Sequence, residues 1–135
     1  WLLGQASTLA HRLLYERFTA AGVRPYHYRL LASLDEFGPA SQVSLGRSTG
    51  IDRSDVVAAL NELAEKNLIE RSPDPDDRRR NVITITPDGV ARLKRLDAVL
   101  AEVQDELTSP LSPEERDRLT GLLTKLVTHH TARPS

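Results

Sequence analysis

A chain of 135 residues with 39% hydrophobic and 27% charged residues has the size of one compact domain with a sizeable core. It is too apolar for a disordered tail, and no apolar run nears the roughly 20 residues that span a bilayer, so no membrane association is expected. Cysteine is absent, which excludes disulfides, thiolate metal sites and thiol redox switches and fits a cytoplasmic setting. The net charge is −1 and lacks the basic excess of many nucleic-acid binders. Its distribution is uneven: residues 96–118 hold seven acids against Arg116 and Arg118, whereas Arg78, Arg79 and Arg80 stand together. Methionine is absent as well, so an initiator upstream of Trp1 is expected.

Leu2, Ala6, Leu9, Leu13 and Leu14 recur at helical spacing and predict a first helix from about Leu2 to Ala21, stopped by Gly22 and Pro25. A second helix, from about Tyr26 to Phe37, carries Tyr26, Leu30, Leu31 and Leu34 on one stripe and ends at Gly38-Pro39. Ser41 is placed to cap a short third helix from Gln42 to about Thr49, with Val43 and Leu45 expected inward. Gly50 supplies the left-handed residue after it. Asp52 caps a fourth helix, Arg53 to Lys66, whose apolar positions are Val56, Val57, Leu60, Leu63 and Ala64. Asn67, a residue type that tolerates the left-handed region, ends it.

Leu68-Ile69-Glu70-Arg71 predicts a short strand, and the β-branched run Asn81-Val82-Ile83-Thr84-Ile85 its return. The residues between, Ser72 to Arg80, are too polar to pack and too proline-rich to continue either strand, so the unit reads as a hairpin with a long charged tip. Thr86 caps a fifth helix with Pro87 at its first position. Val90, Leu93, Leu96, Leu100, Val103 and Leu107 follow at spacings of three and four. Ser112-Pro113-Glu114-Glu115 is a capping box, and Leu119, Leu122, Leu123, Leu126 and Val127 mark a sixth helix before a tail, His129 to Ser135, that reads as frayed.

The fold class expected is therefore mainly α with a small β-hairpin. Two helices joined by a short glycine-containing turn, over residues 41–66, fit a helix-turn-helix. The second of them can lie in a major groove and present Arg53, Ser54, Asp55, Ala58 and Asn61 to base edges. Crowding Arg78, Arg79 and Arg80 at a loop tip is unfavourable unless an anion arrives. A thin arginine-bearing tip suits the minor groove of double-stranded DNA, about 6 Å wide. Asp76 or Asp77 can pair with an arginine there and brace the loop. A solvated loop of balanced charge is the alternative for the tip taken alone.

With these residues in place, the sequence resembles the multiple antibiotic resistance regulator (MarR) family of winged-helix repressors over nearly its whole length. The family wing reads Asp-x-Arg, five residues, an apolar residue, Thr, two residues, Gly. Asp77, Arg79, Ile85, Thr86 and Gly89 match it position for position. Leu68-Ile69-Glu70-Arg71 and Leu111-Ser112-Pro113-Glu114-Glu115-Arg116 also read as the family does. The resemblance implies a winged helix-turn-helix lobe over about 26–88 and dimerisation helices over about 1–21 and 89–131. It implies a homodimer, Arg79 in the minor groove and Asp77 bracing the wing. Thr49 stands where the family has an apolar residue, and Asp55, Val57 and Ala58 replace its usual Thr, Thr and Arg, which leaves Arg53 as the main candidate in the reading helix.

Dimerisation would bury leucines from the two ends of the chain: Leu2, Leu3 and Leu9 with Leu107 and Leu111, and Leu119, Leu122, Leu123 and Leu126. An intramolecular bundle is the other use for them. The family also binds small aromatic or phenolic anions between the first, second and fifth helices. His11, Tyr15 and Phe18 share a face of the first helix, and Tyr26, His27, Tyr28 and Arg29 open the second; they are the candidate pocket, with ordinary packing as the competing role. No cofactor, metal site or enzymatic activity is expected. There is no His-Glu-x-x-His spacing, phosphate-cradling glycine loop or Gly-x-Ser-x-Gly turn, and His129 and His130, as neighbours on a helix, project about 100° apart. The function expected is that of a DNA-binding repressor. A winged-helix protein-interaction module without sequence-specific DNA binding is the rival.

Overall fold

The computed structural model describes residues 1–131. In chain order the elements are α1 (Leu2–Ala20), α2 (Pro25–Phe37), β1 (Ala40–Ser41), α3 (Gln42–Thr49), α4 (Arg53–Glu65), β2 (Ile69–Pro73), β3 (Asn81–Ile85), α5 (Pro87–Leu107) and α6 (Pro113–Thr131). The three strands form one antiparallel sheet in the order β1-β3-β2.

The local signals act where the chain places them. Ser41 Oγ accepts from Ser44 N, and Thr86 Oγ1 accepts from Gly89 N at 3.0 Å. Ser112 and Glu115 exchange both bonds of a capping box, at 2.9 and 3.2 Å. Gly50 turns left-handed between α3 and α4, φ 69°, and Asn67 does so after α4, φ 60°.

Several boundaries and orientations differ from expectation. α2 begins at Pro25, a residue type favoured at the first helical position, and α4 ends at Glu65. The outgoing strand is Ile69–Pro73 rather than 68–71. Pro73 is tolerated because β2 is an edge strand and the proline pairs with Asn81 at its last rung. β1, two residues long, adds to the hairpin through Ala40–Ile83 and Ser41–Val82. Val43 points out, 63% exposed, while Leu45, two positions or about 200° further round, is buried. Val57 is also on the surface. His129 and His130 are helical, because α6 continues to Thr131; the remainder of the tail, 132–135, lies outside the described residues.

One core runs through the winged lobe. Leu30, Leu31 and Leu34 of α2 pack with Leu45, Leu60, Leu63 and Ile83, closed by Phe18 of α1 and by Leu93 and Leu96 of α5. The wing is locked to α5 by a close backbone approach. Thr86 N donates to Leu68 O at 3.1 Å, and Thr86 Oγ1 to Asn67 O at 2.8 Å. A Cβ on Gly89 would lie 2.2 Å from Leu68 O, so only glycine fits beside that carbonyl. α6, in contrast, has no buried residue.

Candidate nucleic-acid interface and the adjoining cavity

The helix-turn-helix is built from α3, Gly50-Ile51-Asp52 and α4. Asp52 closes the turn: its Oδ2 accepts from Ser54 Oγ at 2.7 Å and Ser54 N at 3.3 Å, bonds that hold its carboxyl below the usual range. Ser54 Oγ is thus engaged in the cap. Arg53 and Asn61 are exposed, and among the described residues their side chains make no hydrogen bond or ion pair, so both are available to a partner. The five residues expected on the reading face divide. Asp55 and Ala58, together with Glu62, line a cleft behind α4. Arg53, Ser54, Val57 and Asn61 lie outside it. Val57 thus joins the candidate face as an apolar group suited to a thymine methyl; its sequence pattern, apolar within an apolar stripe, pointed the other way. Thr49 Oγ1 donates to Leu45 O at 2.6 Å, which satisfies this polar residue at a half-buried position.

The hairpin carries its charged tip beyond β2, which at about 3.3 Å per residue extends some 17 Å. Asp77 gathers the tip. Its Oδ1 accepts from Arg79 N at 3.1 Å and Arg79 Nε at 3.3 Å, and its Oδ2 lies 3.7 Å from Arg80 Nε. Its carbonyl accepts from Arg80 N at 2.9 Å. Asp76 does not share this work; its backbone N–H donates to Asp74 Oδ1. Arg79 remains 92% exposed and Arg80 71%, and Arg78 is exposed as well. The loop is ordered by its own carboxylate, yet its guanidinium groups face solvent.

The cleft behind α4, about 1040 Å³, opens between α1, α2 and α4. His11, Tyr15, Tyr26, His27 and Arg29 line it; Tyr28 does not. The Tyr28 hydroxyl instead donates to Asp97 of α5 at 2.7 Å, and burial with this bond pushes its pKa up to about 12. Phe18, on the same face of α1 as His11 and Tyr15, turns into the core and packs on Tyr28, ring centroids 5.6 Å apart. The wall opposite α1 and α2 is α4 rather than α5. His27 is buried, and its Nε2 lies 2.8 Å from Glu62 Oε2. Burial lowers the His27 pKa, opposed by Glu62. Arg24, Glu62 and Lys66 also line the cleft. No sequence signal singled them out, because Glu62 lies 35 residues from His27.

The leucines from the chain ends are bare. Leu2, Leu3, Leu9, Leu107, Leu119, Leu122, Leu123 and Leu126 are all exposed, and Leu111 is half-buried. The intramolecular bundle is therefore not what covers them. Arg17 of α1 pairs with Glu106 of α5, tying these two helices together at the base of the lobe.

Among the described residues no helix is long and apolar enough to cross a membrane. The family model described as MarR family matches residues 21–80. A protein of Thauera aromatica described as a putative transcriptional regulatory protein for the hcr operon is 35% identical over 117 residues, 87% of this chain and 70% of that protein. The HTH-type transcriptional repressor NicR of Pseudomonas putida is 29% identical over 97 residues, 72% of this chain and 61% of its own length. Among solved structures, a cysteine-to-serine mutant of MarR from E. coli complexed with operator DNA superposes with a TM-score of 0.75 at 25% identity, covering 93% of this chain and 90% of that one. BpsR of Bordetella bronchiseptica, from a study of how 6-hydroxynicotinic acid regulates its DNA binding, gives 0.78 at 26% identity, with 93% and 96% covered. With its braced arginine wing, its glycine-locked wing–helix junction and these relatives, the chain belongs to the MarR family of winged-helix transcriptional regulators.

Proposed function

We propose that this chain acts as a homodimeric repressor that binds a pseudo-palindromic operator and leaves it when a small aromatic or phenolic anion binds. The observation that carries the reading is the wing tip. Asp77 fixes the loop backbone while Arg78, Arg79 and Arg80 stay exposed, a form suited to a negative groove. Arg53 and Asn61 of α4 supply the major-groove contacts. The bare leucines of α1, α5 and α6 supply the dimer face, and two-fold symmetry then sets the reading helices about 34 Å apart, one turn of DNA. The acidic stretch 96–118 lies on the dimerisation side, away from the duplex.

The cleft adds the ligand reading. It combines rings from Tyr15 and Tyr26 with cations from Arg24, Arg29 and Lys66, the groups that hold an aromatic carboxylate. The regulation of BpsR by 6-hydroxynicotinic acid supports the same chemistry here. Release follows if the anion favours a dimer whose reading helices are misspaced.

Selection of bound sequences from a random duplex pool, followed by fluorescence anisotropy with and without salicylate, tests the proposal. A palindromic consensus bound two subunits per duplex, and loosened by salicylate, is expected. A monomer indifferent to duplex at low salt overturns it.

A further inference from the structure

One corner of the cleft is already filled by a carboxylate of the protein itself. Glu62 reaches in from α4 with both oxygens engaged: Oε2 at His27 Nε2, 2.8 Å, and Oε1 at Arg24 Nη1, 3.3 Å. Lys66, the residue just past the end of α4, donates to Gly22 O at 3.4 Å and lines the same cleft. A guanidinium and an imidazole that already hold one carboxylate, in a cleft also lined by the Lys66 ammonium and the Tyr26 ring, form a seat for a carboxylate. His27 is well suited to it. Its buried ring favours the neutral form, because desolvation, Lys66 and Arg24 all act against protonation and Glu62 acts for it. Its Nε2–H can then serve Glu62 or an incoming anion equally. Glu62 itself is one-third exposed, so a rotamer change takes it to water.

We propose that Glu62 is a resident carboxylate seated where an external one binds. With the cleft free of anion, Glu62 clamps α4 to Arg24 and His27 at the junction of α1 and α2. A small aromatic carboxylate takes over Arg24 and His27, expels Glu62 and releases the clamp on the reading helix. This rests on the reading that the cleft takes an anionic ligand. It adds the coupling element: ligand and reading helix compete for the same donors, so the two binding events oppose each other by necessity.

Calorimetric titration of the purified chain with benzoate and with its uncharged isostere benzamide tests this. Glu62→Gln removes the competing charge but keeps a hydrogen-bonding side chain. It is expected to bind benzoate about tenfold more tightly than wild type, with benzamide affinity unchanged, because only the anion feels the lost repulsion. Arg24→Gln, at a side chain 70% exposed and so tolerated by the fold, is expected to bind benzoate about tenfold more weakly. Without any benzoate, Glu62→Gln is also expected to bind the selected duplex at least about threefold more weakly than wild type. Benzoate bound equally by wild type and Glu62→Gln overturns the proposal while the anion-binding reading stands. Unchanged benzoate affinity in Arg24→Gln overturns it equally. Benzoate bound by none of the three proteins overturns both readings together.

Discussion

Arg79→Ala removes a guanidinium that is 92% exposed and pairs with Asp77. An exposed pair of this kind adds little to stability, so the variant keeps the melting temperature of the wild type and the loss falls on DNA binding. A dimer carries two wings, so two cations leave each complex. Each neutralised phosphate contributes about 0.9 to the slope of log affinity against log salt, and the slope becomes shallower by about 1.8. Over a fourfold change, from about 50 to about 200 mM salt, this corresponds to roughly twelvefold. The variant's deficit against wild type is therefore expected to be about twelve times larger at the lower salt. Fluorescence anisotropy with the selected duplex at several salt concentrations reads this directly. Arg79→Lys keeps the charge, and with it the slope, but loses affinity, because an ammonium is more strongly hydrated and lacks the planar fork. Asp77→Ala keeps all three arginines and removes the bonds that order them. Its affinity falls without a shallower slope. An Arg79→Ala protein with wild-type affinity and wild-type slope would refute the wing assignment.

Gly89→Ala places a methyl group 2.2 Å from Leu68 O and 2.7 Å from Ile85 Cγ1. Urea unfolding is expected to show a loss of about 1–3 kcal/mol, the usual range for overpacking; unchanged stability would mean that α5 does not pack on Leu68 as described. His27 has a folded pKa below its ordinary 6.5, so protonation favours the unfolded chain. Its contribution is complete above about pH 6.5, declines as the pH falls below that value and levels off below the folded pKa. Thermal melts of wild type and His27→Gln between about pH 7.5 and 5 are expected to converge as the pH falls; parallel curves would remove His27 as the source. Leu122→Asp combined with Leu126→Asp puts charge on a bare face of α6 and is expected to give a folded monomer in sedimentation; a persistent dimer would place the interface elsewhere.

The winged lobe was legible in the sequence because its signals are short-range. Ser41, Asp52, Thr86 and the Ser112–Glu115 box state where helices begin, and Gly50 and Asn67 state where the chain turns, each through bonds spanning two to four residues or through its own backbone angle. The motif of Asp77, Arg79, Ile85, Thr86 and Gly89 was readable as a pattern. The physical need for its last member appears only when Leu68 O is seen against the Gly89 Cα. β1 left no mark, since two residues carry no periodicity and pair with Val82 and Ile83 some forty positions away.

The sequence by itself determined the order of the six helices and the hairpin, the caps and the arginine tip, because each depends on neighbours in the chain; between Asp76 and Asp77 as its brace, only the family motif pointed to Asp77. Tertiary structure alone decided which way the polar side chains of α2 face: His27 toward Glu62 of α4, Tyr28 toward Asp97 of α5. It also decided that Asp55 and Ala58 turn to the cleft, that Val43 and Val57 turn to solvent, and that the terminal leucines find no cover within their own chain. The reason is common to all of these. A helix specifies the angular spacing of its side chains but not its rotation against its neighbours, and that rotation is set by packing the whole core at once.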